Sequence, residues 1–139
     1  MQYSLNNMKT ILIDAVYCFI IEKEEGKFEI FQDMFDLLET YSNNKIILTS
    51  ASDDKRELFG LDKMPYEVFT LKHNPEKTDP EYYKTLLNKF SLNKDEVIYF
   101  EHSIEAVKSA QSIGINSYYY DNDKKNLEDL KNFLDENLK

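Results

Sequence analysis

Short apolar runs alternate with amphipathic segments along this 139-residue chain, and that alternation constrains the fold more than any other feature. Parallel strands that are buried on both faces read as continuous apolar runs, and the helices that connect them carry one apolar face. The pattern therefore predicts an α/β fold, a Rossmann-like three-layer sandwich with a central five-stranded parallel sheet. The predicted strands are Thr10 to Val16, KIILTS, YEVFTL, EVIYF and INSYYY.

The segments between those strands carry helix and turn signals. Asp53 is expected to cap a helix that Gly60 closes, and Asp79 before Pro80 predicts a second capped start. Ser103 is expected to cap a further helix. A small hairpin is expected directly after the first strand, where two β-rich arms flank Glu-Glu-Gly.

Length and composition limit the function classes. A chain of this length favours a single domain over residues 1–139. The net charge of −9 argues against nucleic acid and anionic membranes as partners, because both are bound through Lys and Arg. Without a long apolar run or a signal peptide, we expect a cytoplasmic protein. The partner is expected to be a protein or a small molecule of unknown identity, and the chain a monomer or homodimer.

Polar residues follow several of the predicted strands at the point where each strand ends. In open parallel sheets, ligands bind at the carboxyl ends of the strands, near the point where the strand order reverses. The sequence therefore predicts a site at this edge of the sheet. The residues are Asp14, Thr49, Ser50, Glu101 and His102 after the strands, and Lys77 before the third helix.

This set resembles the haloacid dehalogenase (HAD) superfamily. Its phosphatases carry a nucleophilic Asp, a second Asp two residues later, a Thr or Ser, a Lys and an acidic motif. The segment from Lys77 to Asp121 looks like the family's lysine-and-proline helix, strand, acidic turn and small-residue helix in order. The resemblance extends from Thr10 to Tyr120. It implies a HAD-like core with a small flap hairpin and no cap domain, because the segments 17–44 and 52–76 are too short for one.

The resemblance assigns roles to the residues that match. Asp14 takes the place of the nucleophile, Thr49 or Ser50 that of the phosphate-binding hydroxyl, and Lys77 that of the charge-neutralising lysine. The choice between Thr49 and Ser50 stays open because the register is ambiguous.

Other positions depart from the family pattern. Val16 stands where the acid/base Asp belongs, and His102 stands where the metal-ligating Asp belongs. Glu101 replaces a glycine, and Ala106 replaces a further acid. A valine side chain can neither protonate a leaving group nor activate water.

These departures predict a loss of phosphatase chemistry. Losing the general acid removes about 10²–10⁴ in rate. A phosphate dianion that approaches Asp14 without Mg²⁺ meets repulsion of about 4 kcal/mol per charge pair at an effective dielectric near 20. We therefore expect a degenerate HAD-like domain that acts as a non-catalytic binding or regulatory protein, with no cofactor and with weak or absent Mg²⁺-dependent turnover.

Other functions stay open. One alternative is a HAD-type phosphatase or hydrolase that uses Asp14 as nucleophile, needs Mg²⁺ and acts on a phosphorylated substrate, including a macromolecular one. No metal is expected under the main interpretation, but Asp14, Glu101 and His102 could together ligate a transition metal. A third alternative is a metal-free dehalogenase, since IDAVY resembles the Asp-Ala-Tyr of those enzymes; Arg56 would then receive the anionic substrate.

The same residues also have purely structural interpretations. Asp14 could accept backbone N–H groups at a strand end, and Lys77 could be a surface lysine before a helix. Thr49 and Ser50 could cap the following turn. Cys18 is expected to be a packed thiol, because the acids around it disfavour a reactive thiolate.

Overall fold

The computed structural model describes residues 8–138 and contains a five-stranded parallel sheet. Its strand order is β5-β4-β1-β6-β7, with β1 central and each neighbouring pair parallel. The order reverses beside β1, which makes its carboxyl end the switch point where ligands bind in such sheets. The predicted fold class is confirmed. The sheet strands are β1 Thr10–Asp14, β4 Lys45–Thr49, β5 Glu67–Thr70, β6 Val97–Glu101 and β7 Asn116–Tyr119.

Helices cover both faces of the sheet, as the alternating pattern requires. The helices are α1 Gln32–Leu38, α2 Arg56–Phe59, α3 Pro80–Lys89, α4 Ile104–Ser112 and α5 Leu127–Asn137. Helices α1 and α5 pack on one face, where Met34 and Leu134 meet Ile13. Helices α3 and α4 pack on the other face, where Leu86 and Ala110 join the same apolar cluster. Among residues 8–138, no helix is long and apolar enough to cross a membrane.

The predicted hairpin follows β1 and consists of β2 Ile20–Glu24 and β3 Lys27–Ile30, paired antiparallel. Its turn contains Gly26 at a φ of +76°, a conformation in which glycine meets little steric cost. No cap domain is inserted among residues 8–138; the hairpin is the only sheet element there outside the main sheet.

The predicted helix from Asp53 to Gly60 is wrong in its first half. Residues Asp53–Lys55 form a 3₁₀ turn, and only Arg56–Phe59 is α-helical. Asp53 does not cap this segment, because its carboxylate accepts a hydrogen bond from Lys72 Nζ at 3.0 Å. The predicted closure by Gly60 is confirmed, since this residue lies in the left-handed region with a φ of +64°.

The first strand is shorter than predicted. It ends at Asp14, and Tyr17 has a φ of +71°, which turns the chain away from the sheet and into the hairpin. Val16 therefore lies in the turn rather than in the strand. The two helices that lead away from the site begin as predicted. Asp79 accepts from Glu81 N–H with Pro80 at the first helical position, and the Ser103 hydroxyl oxygen accepts from Ala106 N–H.

Candidate functional site

The predicted site residues converge at the carboxyl ends of β1, β4 and β6. They line one open cavity of about 460 Å³. Parallel strands end at the same edge of a sheet, so residues far apart in sequence become neighbours there. The members are Asp14, Val16, Thr49, Ser50, Lys77, Glu101, His102 and Ala106.

Asp14 is buried, and both of its carboxylate oxygens are hydrogen-bonded. Lys77 Nζ donates to Oδ1 at 2.6 Å. The ring Nδ1 of His102 lies within hydrogen-bonding distance of Oδ2, and the backbone N–H of His102 donates to the same oxygen at 3.2 Å. Asp14 can therefore stay buried within an apolar run, because hydrogen-bond donors and two basic side chains surround its carboxylate.

Glu101 is the second buried carboxylate of the site. Its Oε1 accepts from Lys77 Nζ at 2.9 Å and from the hydroxyl of Tyr99. Its Oε2 accepts from the backbone N–H of Ser103 at 3.0 Å and lies 3.3 Å from His102 Nδ1. Glu101 therefore shares Lys77 and His102 with Asp14. We call Asp14, Lys77, Glu101 and His102 the charge cluster.

The charge cluster sets the protonation states of its members. Burial alone would raise the pKa of Asp14, but the ammonium of Lys77 and the hydrogen bond to His102 hold it below its usual range. Burial alone would lower the pKa of His102, but hydrogen bonds to Asp14 and Glu101 raise it to about 9. The two carboxylates likewise raise the pKa of Lys77 despite its burial. At neutral pH Lys77 and His102 are therefore cations and Asp14 is an anion.

The elements around Lys77 explain why this lysine reaches the strand ends. It lies in the loop before α3, whose start Asp79 and Pro80 fix. The backbone N–H of Lys77 donates to Ser50 Oγ at 3.4 Å, which ties this loop to the end of β4. The interpretation of Lys77 as a surface lysine is therefore wrong, because only 12% of its side chain is exposed.

Thr49 and Ser50 both reach the cavity, so the structure leaves open which of them is the motif hydroxyl. Thr49 Oγ1 accepts from the backbone N–H of Ala51 at 3.1 Å. Ser50 Oγ accepts from Lys77 N–H instead. The bond from Ala51 N–H fits the expected capping role of Thr49 at the start of the following segment, although the side chain of Ser52 does not cap the 3₁₀ turn at Asp53.

Val16 and Ala106 give the cavity an apolar part where the HAD pattern has acids. The aromatic rings of Tyr17 and Phe59 extend that part. Tyr17 also contacts the ring of His102 edge to face at a centroid distance of 5.7 Å, which orients the imidazole.

Arg56 lies away from the charge cluster, contrary to the dehalogenase alternative. Its guanidinium is bound to Asp62 at 2.7 and 2.9 Å and lines a different surface depression. The side chain therefore cannot receive an anionic substrate beside Asp14 in this structure.

Sequence reasoning missed two residues of the site, Tyr99 and Cys18. Tyr99 precedes Glu101 by two positions, so strand alternation places both on one face, and this signal could have found it. Cys18 was expected to be a packed thiol, and it is buried. The turn after β1 returns it to Asp14, because Cys18 N–H donates to Ala15 O and Phe19 N–H donates to Asp14 O. Its Sγ lies within 4.8 Å of an Asp14 oxygen and a His102 ring nitrogen.

Solved structures with the same architecture are HAD-family proteins. A HAD-family enzyme from Bacteroides thetaiotaomicron, in a variant with magnesium and inorganic phosphate, is 15% identical with a TM-score of 0.66; the match covers 81% of this chain and 93% of that one. A HAD-superfamily hydrolase from Geobacter sulfurreducens is also 15% identical, with a TM-score of 0.61 and coverage of 81% and 89%. This chain has the HAD-like fold.

A dehalogenase in complex with an intermediate has the same HAD-like fold. It is 18% identical with a TM-score of 0.57, and the match covers 68% of this chain but only 45% of the dehalogenase. No model of a known protein family matches the sequence, and no curated protein does. The HAD-like fold is thus shared with a hydrolase and with an enzyme whose variant binds magnesium and inorganic phosphate.

Proposed function

We propose that this HAD-like domain is a binding or regulatory protein that holds an anionic, phosphorylated ligand at the strand-end cavity without Mg²⁺-dependent hydrolysis. The observation that carries the proposal is the pairing of both Asp14 oxygens, one with Lys77 and one with His102. A carboxylate attacks phosphorus only through an oxygen with a free lone pair aimed at it. Here Oδ2 is paired with both the ring Nδ1 and the backbone N–H of His102, which leaves a free lone pair only on Oδ1, beside Lys77.

The residues of the cavity do not fit Mg²⁺. Magnesium requires near-octahedral oxygen coordination and is usually held by one or two carboxylates. Asp14 and Glu101 are the buried carboxylates here, and Lys77 contacts both. His102 stands where the family has a metal-ligating acid, and with its pKa raised to about 9 it is a cation at neutral pH. A second cation in that position repels Mg²⁺ rather than binding it.

The cavity also lacks an acid or base in the position that hydrolysis needs. Val16 and Ala106 contribute only methyl groups. Any transition state would lose the factor of about 10²–10⁴ that a positioned proton donor supplies.

Three features of the cavity support an anionic ligand. Lys77 and His102 supply N–H donors whose charges Asp14 and Glu101 balance. Lys55 adds a basic side chain to a wall that also contains Glu76. Ser50 Oγ accepts a backbone N–H, which leaves its own hydroxyl hydrogen free to donate to an oxyanion. The apolar part formed by Val16 and Phe59 suits the body of such a ligand.

A pair of measurements on the full chain tests this function. Calorimetric titration with inorganic phosphate is expected to show binding that Lys77→Gln weakens at least about tenfold, since a charge-assisted hydrogen bond contributes about 1.5–3 kcal/mol. Lys84→Gln is the matched control, because Lys84 is exposed and pairs only with Glu81 at 3.4 Å. Equal phosphate binding by the parent chain and by Lys77→Gln would count against the proposal.

The second measurement is turnover of an aryl phosphate with Mg²⁺. We expect the rate of the parent chain to equal that of Asp14→Asn, which keeps the shape but removes the charge. Clear Mg²⁺-dependent turnover that Asp14→Asn abolishes would end the non-catalytic interpretation.

A HAD-type hydrolase with Asp14 as nucleophile is the second candidate, and one observation favours it. Lys77 and His102 keep the pKa of Asp14 low, so the carboxylate is ionised as a nucleophile must be. The same two cations offset the repulsion between Asp14 and a phosphate dianion. Unlike the Mg²⁺-dependent hydrolase that the family resemblance implies, this metal-free form predicts turnover that persists in a chelator, which the aryl phosphate measurement without Mg²⁺ would detect.

A further inference from the structure

The turn after β1 brings a thiol, a carboxylate and an imidazole together at one point. Cys18 Sγ, an Asp14 carboxylate oxygen and a ring nitrogen of His102 all lie within 4.8 Å of one another. Three segments of the chain contribute them: the turn between β1 and β2, the end of β1 and the start of the loop before α4. In the alternative formed by Asp14, Glu101 and His102, both Glu101 oxygens already accept hydrogen bonds, from Tyr99, Lys77 and Ser103.

The spacing of these atoms matches tetrahedral coordination of a small transition metal. With bond lengths of about 2.0–2.3 Å to oxygen, nitrogen and sulfur, the ligand atoms of a tetrahedral Zn²⁺ site lie roughly 3.3–3.8 Å apart. The three side chains therefore need to move by about one ångström or less. Asp14 and His102 line the cavity, so an ion can reach the site and a fourth ligand can come from the cavity.

The donor atoms at this point also suit a dication that prefers soft ligands. Zinc binding releases two protons to solvent: the Cys18 thiol proton, whose pKa burial and the nearby Asp14 raise, and the second ring proton of His102. The resulting group of Zn²⁺, thiolate, carboxylate and neutral imidazole has no net charge. Lys77 keeps its hydrogen bond to Asp14 Oδ1 and its contact with Glu101, so those two side chains remain paired. Thiolate and imidazole are ligands that Zn²⁺ prefers and Mg²⁺ does not. Lys77 and protonated His102 repel any dication, so the site admits only an ion that binds thiolate and imidazole strongly enough to displace their protons, which favours Zn²⁺ over Mg²⁺.

We propose that Asp14, Cys18 and His102 form a transition-metal site that takes Zn²⁺ with three protein ligands and an open fourth position. The proposal goes beyond ligand binding at the cavity and does not depend on whether phosphate binds. Cys18 then has a role that core packing alone does not explain: it is the one thiol of the chain, and it contacts the charge cluster.

Cobalt substitution tests the site directly, because Co²⁺ bound to a thiolate gives a charge-transfer absorption band in the near ultraviolet. The chain has a single cysteine, so any such band reports Cys18. Titration of the chelator-treated full chain with Co²⁺ is expected to give the band at one ion per chain, and Zn²⁺ is expected to displace it. A large excess of Mg²⁺ is expected to leave the band unchanged.

Variants assign the ligands. His102→Asn is expected to weaken Zn²⁺ binding at least about a hundredfold, since even loss of an outer-shell partner costs 10–100-fold. His73→Asn is the matched control: His73 is the other histidine, half-exposed, and its ring contacts Glu76 at 2.9 Å. It is expected to bind Zn²⁺ like the parent chain.

Measurements on the parent chain alone can overturn the proposal, so the test does not depend on whether a Cys18→Ala variant folds. Failure to take up either Co²⁺ or Zn²⁺, a cobalt spectrum without the thiolate band, or displacement by Mg²⁺ would each contradict it. The phosphate titration has a different readout, so failure of one proposal leaves the other standing.

Discussion

Two sets of charged side chains in this molecule differ in burial: one set lies in the core and the other lies at the surface. The charge cluster is buried: Asp14 and Glu101 are almost inaccessible, and 12% of the Lys77 side chain is exposed. Arg56 and Asp62 form a pair with two short hydrogen bonds, but 72% of the Asp62 side chain is exposed. The surface pair has short hydrogen bonds but contributes little to the free energy of unfolding, because water screens both charges whether or not they are paired. In the charge cluster each charge depends on its partners.

Among the variants that test this comparison, Lys77→Met is expected to lower the free energy of unfolding the most. It leaves Asp14 and Glu101 buried beside each other with one cation fewer, and breaking a buried pair costs about 3–5 kcal/mol. Urea unfolding measures the loss. Lys84→Met, at an exposed lysine on α3, is the control and is expected to stay within about 0.5 kcal/mol of the parent chain. Equal losses in the two variants would show that burial does not distinguish the two kinds of pair.

Raising the pH weakens the charge cluster through His102. Its pKa is raised from 6.5 to about 9 in the folded chain, so the stabilisation is complete below pH 6.5 and is lost as the pH rises through 9. The shift sets an upper bound of about 3 kcal/mol, and the partial exposure of the ring reduces this to about 2. The free energy of unfolding of metal-free protein, measured across that range, should fall accordingly. A flat profile in the parent chain, or the same decline in His102→Asn, would contradict this.

Tyr99→Phe removes the hydroxyl that donates to Glu101. Lys77 and Ser103 N–H remain on that carboxylate, so we expect a loss of about 1.5 kcal/mol, as for other hydrogen bonds to charged groups. Tyr66→Phe is the matched control, because its hydroxyl donates to Glu39 at 2.6 Å at the surface. Thermal unfolding of both variants measures the difference, and a larger loss at Tyr66 would reverse the order that burial predicts.

Arg56→Ala is expected to have the smallest effect, about 0–1 kcal/mol. The charge–charge part of that loss should decrease further in high salt, because the pair is exposed. Urea unfolding at low and high ionic strength measures both values. A loss as large as that of Lys77→Met would mean that geometry rather than exposure governs these pairs.

Local signals in the sequence predict most of the fold, and the site only in part. Continuous apolar runs such as KIILTS identify buried strands, and Asp79 with Pro80 identifies a helix start, because both depend on neighbouring residues alone. The segment after Asp53 was predicted wrongly because a distant partner, Lys72, takes the carboxylate that would have capped it.

The sequence predicts where the members of the charge cluster lie but not which of their atoms pair. The strand-end rule identifies Asp14, Lys77 and His102 as neighbours, yet it carries no information on which atoms pair. Lys77 and Asp14 are 63 residues apart, and His102 and Asp14 are 88 apart, so their pairing depends on the packed sheet. Cys18 was missed because the chain returns to Asp14 through the left-handed conformation of Tyr17. A tyrosine in the sequence does not predict that conformation.

The central claim is that His102 is a cation bound to Asp14, at the position that the family resemblance assigns to a metal-ligating acid. Titration of the His102 imidazole by nuclear magnetic resonance in metal-free protein tests it most directly, with the His102→Asn variant assigning the signal. The account predicts a midpoint near 9 that falls in Asp14→Asn, because the carboxylate that raises the pKa is then gone. A midpoint at or below 6.5 in the parent chain, unchanged in Asp14→Asn, would contradict it.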